Sequence, residues 1–288
     1  PPVQAAFIMR VFLFILLFLS CGNLILPQAR AEGQDSKTDF SSLKHTGSGR
    51  VDQVIDGLSV LLKNKKIVRL SSLEIPDEDF SLAAKQALEK ALPEGTEVIL
   101  YQTLKAKKGR VNRMGHHLAH LVTKKDPVWI NGLLLEKGLA RTLPSESNAE
   151  MTPQMYAMEE KARRKNEGLW AKDKQPVLTA QNAAEGIGQY RLVEGTPLKA
   201  AVIRNNVYLN FGPDWKTDFS VMIAPPVRKQ LARQGLDALS LAHRPLRVRG
   251  YLRAYNGPFM ELEHPERLEI FEITDEQKKS PDRDANPQ

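Results

Sequence analysis

Cysteine is almost missing from this chain. The 288 residues hold one, Cys21, inside an apolar stretch near the N-terminus. Beyond that stretch there can be no disulfide, no thiol nucleophile and no cysteine metal site. Uninterrupted apolar runs are equally scarce. The candidate that starts at Val11 is broken by Cys21, Gly22, Asn23 and Pro27, which argues against a stable membrane span. An acidic excess is absent too. Lys and Arg number 41 against 34 Asp and Glu, a net charge of +7, which suits a polyanionic partner. What is present, 42% hydrophobic and 26% charged residues, is the composition of a soluble globular protein, with length for one large domain or two ordinary ones.

Taking Met9 as the start, Arg10 supplies a positive charge, residues 11–19 an apolar segment and Ala29-Arg30-Ala31 a small-x-small cleavage site. The pattern predicts a signal peptide over residues 1–31 and a mature protein that is exported, periplasmic or secreted, without a stable membrane span. The same stretch also admits an uncleaved anchor or a lipid-modified Cys21, although Phe18 fits a lipobox poorly. Residues 32–48 are polar and rich in serine and glycine, which predicts a flexible N-terminus.

Structure is expected from residue 49. Residues 51–55, 60–62 and 67–70 read as three strands, joined by the Asp56-Gly57 turn and by Lys63-Asn64-Lys65-Lys66, a meander. Residues 80–92 change to a helical period, with Leu82, Ala84, Leu88 and Ala91 on one stripe. Strands at 97–104 and 118–122 follow, across a basic loop at 105–110, then helices at 132–139 and 154–166. Three strands, a helix and two strands describe a barrel of OB type with helical additions, over residues 49–171.

Residues 172–189, with Pro176, alanines and two glycines, read as a linker. Residues 190–273 repeat the count. Hairpins turn at Arg204-Asn205-Asn206 and Asn256-Gly257, and Pro225-Pro226 opens a helix between them. The fold class expected is therefore mainly β with helices, α+β: a five-stranded OB-type barrel followed by a second OB-like β module. Residues 274–288 are charged and proline-bearing, and read as a disordered tail.

The chemistry gathers at Arg69-Leu70-Ser71-Ser72-Leu73-Glu74-Ile75-Pro76-Asp77. Pro76 has no N–H for a sheet, so the strand stops before it, with Arg69 inside and Glu74 and Asp77 at its mouth. An arginine facing carboxylates there suits phosphate and metal chemistry, and equally an exposed ion pair.

Five marks then stand in order. They are Val54-Ile55-Asp56-Gly57-Leu58-Ser59-Val60, the Arg69 to Asp77 stretch, Asn112-Arg113-Met114-Gly115-His116-His117-Leu118-Ala119, Gly138-Leu139-Ala140, and Glu159 to Arg163 closing in Gly168-Leu169-Trp170. With these, residues 51–170 resemble a staphylococcal nuclease-type domain. The resemblance implies a five-stranded OB barrel with three helices. In active members it also implies an Asp-Gly-Asp-Thr turn, two aspartates on calcium, a glutamate handling the attacking water and two arginines on the phosphodiester. Hard calcium draws on several oxygens, and a doubly negative transition state on fixed cations.

Carried over by position, Arg69 keeps the first arginine, Glu74 stands for the second metal-binding aspartate and Asp77 for the water-handling glutamate. Leu58 replaces the first metal-binding aspartate and His116 the second arginine. Leucine offers a cation no oxygen, and histidine lacks the bidentate fork and is only partly charged near neutrality. Asp77 is one methylene short, and a catalytic group displaced by about 1 Å can lose on the order of a hundredfold.

The reading that follows is a binding protein, for nucleic acid or another polymer or protein, on a nuclease scaffold with a degenerate active site. It expects no cofactor. The alternative is a metal-dependent phosphodiesterase or endonuclease acting on DNA or RNA. There Glu74 and Asp77, with Asp56 at the turn, would offer carboxylates to calcium, while Arg69 and His116 serve the phosphate. A periplasmic adaptor that meets another protein through the C-terminal module is the third reading.

Lys105, Lys107, Lys108, Arg110 and Arg113 crowd one loop, where they could track single-stranded DNA or RNA or form a solvated hairpin tip. His116 and His120 share a strand face, but no third ligand lies near them in sequence. The basic run Lys161, Arg163, Arg164, Lys165 has local partners in Glu159 and Glu160. Tyr208, Phe211, Trp215, Phe219 and Tyr251 could stack bases or fill a barrel.

Overall fold

The computed structural model describes residues 38–171 and 177–271, within one compact unit that begins at Thr38. The signal-peptide reading of residues 1–31 and the tail at 274–288 lie outside the described residues.

The first strand, β1 (Lys44–Asp56), is long and bent. Its first half pairs antiparallel with β5 (Glu97–Gln102) and its second half with β2 (Ser59–Leu62). From β2 the chain returns as β3 (Ile67–Leu70), which runs parallel to β6 (His117–Thr123), and β6 pairs with β5 to close the barrel. Val51, Val60, Leu62, Val68, Leu70, Val98 and Leu121 fill it. Part of the stretch expected to be flexible is thus ordered. Residues 44–48 extend β1, Leu43 is buried, and Phe40 stacks on Tyr101 at 4.6 Å. Two apolar anchors outweigh the serine and glycine around them, and Gly47, with φ 140°, takes up a register shift.

A short ribbon that the sequence pattern does not announce joins β4 (Leu73–Glu74) to β7 (Arg141–Thr142). Helix α1 (Glu78–Ala91) follows β4, while α2 (Ile130–Glu136) and α3 (Thr152–Lys165) follow β6. The chain segments leaving α2 and α3 meet at Gly138 and Gly168. A Cβ on Gly138 would lie 2.1 Å from the Glu167 carbonyl oxygen and one on Gly168 2.3 Å from that of Gly138. Both residues have φ near +60°, so only glycine fits either place.

In the second module the linker reading fails for residues 177–189. There β8 (Leu178–Thr179) pairs parallel with β9 (Tyr190–Gly195), and Leu178, Ala180 and Ala183 enter the core. Small apolar residues that look like linker composition are what a tight layer against β9 needs. Then come β10 (Lys199–Ile203), β11 (Asn206–Asn210), β12 (Ser220–Ile223), α4 (Pro225–Arg233), β13 (Leu246–Ala254), β14 (Pro258–Glu261) and β15 (Leu268–Ile270). The sheet runs β10-β11-β12-β14-β13-β9-β8, with β15 beside β13.

This is the winding of the first barrel again. β12 and β14 are parallel with a helix between them, as β3 and β6 are. β9 pairs with β13, while β10 pairs with β11. Together β9 and β10 do what the bent β1 does alone. The break falls at Thr196-Pro197-Leu198, where Pro197 has no N–H to give a ladder. The two modules touch through Ala162, Leu169, Trp170 and Leu192. Beside this apolar patch runs a buried band of ion pairs in which Arg249 of β13 meets Glu159 of α3.

Candidate functional site

The β1–β2 turn is held by its own carboxylate: Asp56 Oδ1 accepts the Leu58 N–H at 2.7 Å. Gly57 sits hard against the start of α1, since a Cβ there would come 2.8 Å from Ile75 Cδ1 and 2.9 Å from the Ser81 carbonyl oxygen. Leu58 points inward, is 4% exposed and belongs to the barrel core. Its carbonyl accepts the Leu70 N–H at 2.8 Å. Arg69 pairs in register with Ser59 on one side and Leu118 on the other. Its Nη1 donates to Ser59 Oγ at 3.3 Å. His116 comes directly before β6, and its backbone N–H donates to Asn112 Oδ1 at 2.9 Å. Arg69 is thus level with Ser59 and Leu118, with Leu58 in the turn just before β2 and His116 just before β6.

The carboxylates at this end are engaged. Glu74, expected to face a metal or phosphate, lies opposite Arg141 in the β4–β7 ribbon. Both Nε and Nη2 of Arg141 reach Glu74 Oε2 at 2.8 Å. Arg141 is itself buried, with its guanidinium 4.7 Å from the centre of the Tyr190 ring of the second module. A fixed, charge-assisted pair thus takes up the Glu74 carboxylate. Asp77 caps α1, its Oδ1 accepting the Asp79 N–H at 2.8 Å. Asp56 serves its own turn. Calcium asks for about six to eight oxygens. Among the described residues no three His, Cys, Asp or Glu side chains gather to hold a metal. With an apolar Leu58 and an arginine-bound Glu74, the residues here do not fit calcium.

The histidines do not gather either. His120 is buried against Trp129, with ring centres 5.7 Å apart. Burial pushes its pKa down to about 3, so it stays neutral. Burial, with Lys66 nearby, also lowers His117.

The basic loop between β5 and β6 divides into two parts. Arg110 Nε donates to the Thr103 carbonyl at 2.8 Å and Lys105 Nζ to that of Glu146 at 2.6 Å. Gln102 Nε2 donates to the carbonyls of Arg110 and Leu118, 2.8 Å each. These bonds fix the base of the loop and leave Lys107, Lys108 and Arg113 exposed. The loop feeds into His116 and the start of β6, which pairs with β3 beside Arg69.

Residues 61–172 match the model of a family described as staphylococcal nuclease homologue. No curated protein matches the chain. The nuclease-like match takes in Arg69, Glu74, Asp77, His116 and the whole basic loop; the Asp56-Gly57-Leu58 turn lies just before it and the second module beyond it. The nuclease-like domain also contains the residue that sequence reasoning passed over, Arg141. It lies 67 positions from Glu74, in a two-residue strand that no periodicity marks.

Proposed function

We propose that this is an exported nucleic-acid-binding protein whose nuclease-like domain keeps the barrel and its phosphate-facing cations without the catalytic set. The observation that carries this is the pairing of Glu74 with Arg141 beside a buried Leu58. One metal position is filled by hydrocarbon and the other by a carboxylate already neutralised. His116 in place of an arginine removes the fixed charge that a pentacovalent transition state asks for. Binding needs less. Lysine and arginine on phosphate oxygens, with release of counterions, give affinity without chemistry. The export half of the proposal rests on the charged, apolar and small-residue order of residues 10–31.

Purified mature protein is expected to show no calcium-stimulated cleavage of DNA or RNA. A variant carrying Leu58→Asp, Asp77→Glu and His116→Arg, with Arg141→Met to release Glu74, is assayed beside it. Wild-type cleavage as fast as the variant's would restore the metal-dependent phosphodiesterase reading. Single-stranded oligonucleotide binding, followed by anisotropy at low and moderate salt, should be micromolar or weaker and fall steeply with salt. Absence of binding at low salt would turn the reading to a protein adaptor. N-terminal sequencing of the exported product should begin at Glu32.

A further inference from the structure

Resting on the nucleic-acid reading, we infer that the second module supplies the surface on which unpaired bases stack. The face is the outer side of β13 and the turn that follows it. Tyr251, Arg253 and Tyr255 recur at every second residue, so they share that side. Tyr251 is 51% and Tyr255 63% exposed. The candidate aromatic residues of this module divide, with Tyr208 half-buried between the two groups. Phe211 and Phe219 pack together in the core at 4.8 Å, while Tyr251, Tyr255 and Trp215 stay outside.

These outer rings are held in place. Phe259, opposite Arg253 on β14, meets the Tyr255 ring edge to face at 5.4 Å. The turn Asn256-Gly257, with φ of 49° and 84°, presses on the loop at residues 214–218, where a Cβ on Gly257 would lie 2.5 Å from the Thr217 carbonyl oxygen. In that loop Asp218 Oδ2 accepts the Asp214 N–H at 2.7 Å and Asp214 Oδ1 the Lys216 N–H at 3.0 Å. The two acids thereby hold the backbone that presents Trp215, 54% exposed, with Lys216 Nζ 5.8 Å from its ring centre. Between the turn, this loop and Ile187 opens a cleft of about 440 Å³, with Lys216, Tyr255 and Asn256 in its walls.

Charge completes the match. Residues 195–260 carry ten Lys or Arg, of which Arg247 and Arg249 are buried in ion pairs, and the other eight stand against three acids, Asp214, Asp218 and Asp237. Asp237 caps a turn by accepting the Leu239 N–H at 3.1 Å. Glu261, next to Met260 of β14 and opposite Met222, and Glu185, two residues before Ile187 of the cleft, are acids near the face. Exposed flat rings among cations suit a polyanion that also has flat faces to offer. In a duplex those faces are already stacked, so the ligand is a single strand.

The test reads Trp215 directly, because Trp129 and Trp170 are buried. The full mature protein is titrated with an unlabelled oligothymidylate while tryptophan emission is followed. Saturable quenching is expected, lost in Trp215→Leu. Tyr251→Ser and Tyr255→Ser should each weaken binding by about tenfold in anisotropy, as expected for a stacked base, without changing the melting temperature. Heparin, a polyanion without bases, should bind without quenching. Quenching by heparin equal to that by the oligonucleotide would overturn base stacking. If the tyrosine variants bind as wild type while Lys107→Gln with Lys108→Gln and Arg113→Gln abolishes binding, nucleic-acid binding stands and this surface falls. No oligonucleotide binding by wild type overturns both.

Discussion

Arg249 of β13 and Glu159 of α3 face each other as a bidentate pair, at 2.8 and 3.2 Å, with neither side chain exposed to solvent. Glu159 Oε2 also accepts the Thr142 N–H at 2.7 Å, and Arg249 Nη2 reaches Glu269 at 2.7 Å. The guanidinium lies 4.0 Å from the centre of the Tyr156 ring. Burial alone would raise the Glu159 carboxyl, but Arg249 and Arg163 overcome it and hold it below the ordinary range. Read locally, Glu159 is the i,i+4 partner of Arg163, and at 3.2 Å it is. Its deeper partner lies 90 residues away and ties the barrel to the second module.

Breaking this pair on one side should be severe. Glu159→Leu leaves the buried Arg249 with Glu269 as its remaining carboxylate, and Arg249→Met leaves the buried Glu159 with Arg163, each at a cost of about 3–5 kcal/mol. The double variant Glu159→Leu with Arg249→Met should recover much of that. Urea unfolding of the four proteins gives the cycle, and strictly additive losses would mean that the two side chains act independently.

The barrel and the second sheet were legible because their periodicities are local. Asp56-Gly57, Asn256-Gly257 and Pro225-Pro226 mark turns and a helix start where the structure has them. The elements that escaped notice are two residues long or depend on distant partners. β4, β7 and β8 are too short to show alternation. The same holds for the site. Leu58 could be read as apolar, and it lies buried in the barrel core. That Glu74 would be bound by Arg141 needed the β4–β7 pairing, between residues 67 positions apart, and the guanidinium there also lies against Tyr190 of the second module.

His120 gives a pH dependence of definite sign. Folded, its pKa is about 3 against 6.5 in the unfolded chain. Between those values the unfolded state binds the extra proton, so stability rises with pH and is lost as pH falls below about 6.5. The difference in stability between wild type and His120→Leu should therefore shift against wild type by about 1 kcal/mol per pH unit from pH 6 to 4. Denaturant melts at three pH values check this, and a constant difference would mean that His120 takes up a proton without unfolding.

The exposed cations of the β5–β6 loop should act through phosphate alone. Replacing Lys107, Lys108 and Arg113 with glutamine should weaken binding to all single-stranded sequences alike. The slope of log affinity against log salt should fall by about 2, at about 0.7 per cation. A loss confined to one sequence would show that the loop reads bases.

Leu58 provides the sharpest check on the metal question. Leu58→Asp places a carboxylate where hydrocarbon packs, 4% exposed among Val54, Val60 and Ala84. Without calcium it should destabilise the protein by about 2–4 kcal/mol, from lost burial and an unsolvated charge. Calcium can return that stability only if the new carboxylate and its neighbours ligate it, since a ligand stabilises by binding the folded state. Because Glu74 is held by Arg141 at 2.8 Å, Leu58→Asp alone should melt at the same temperature with or without calcium. Adding Arg141→Met, which releases Glu74, should make the melting temperature rise with calcium. A calcium-dependent rise already present in wild type would show that the unaltered site binds the ion and that Arg141 does not keep Glu74 from it.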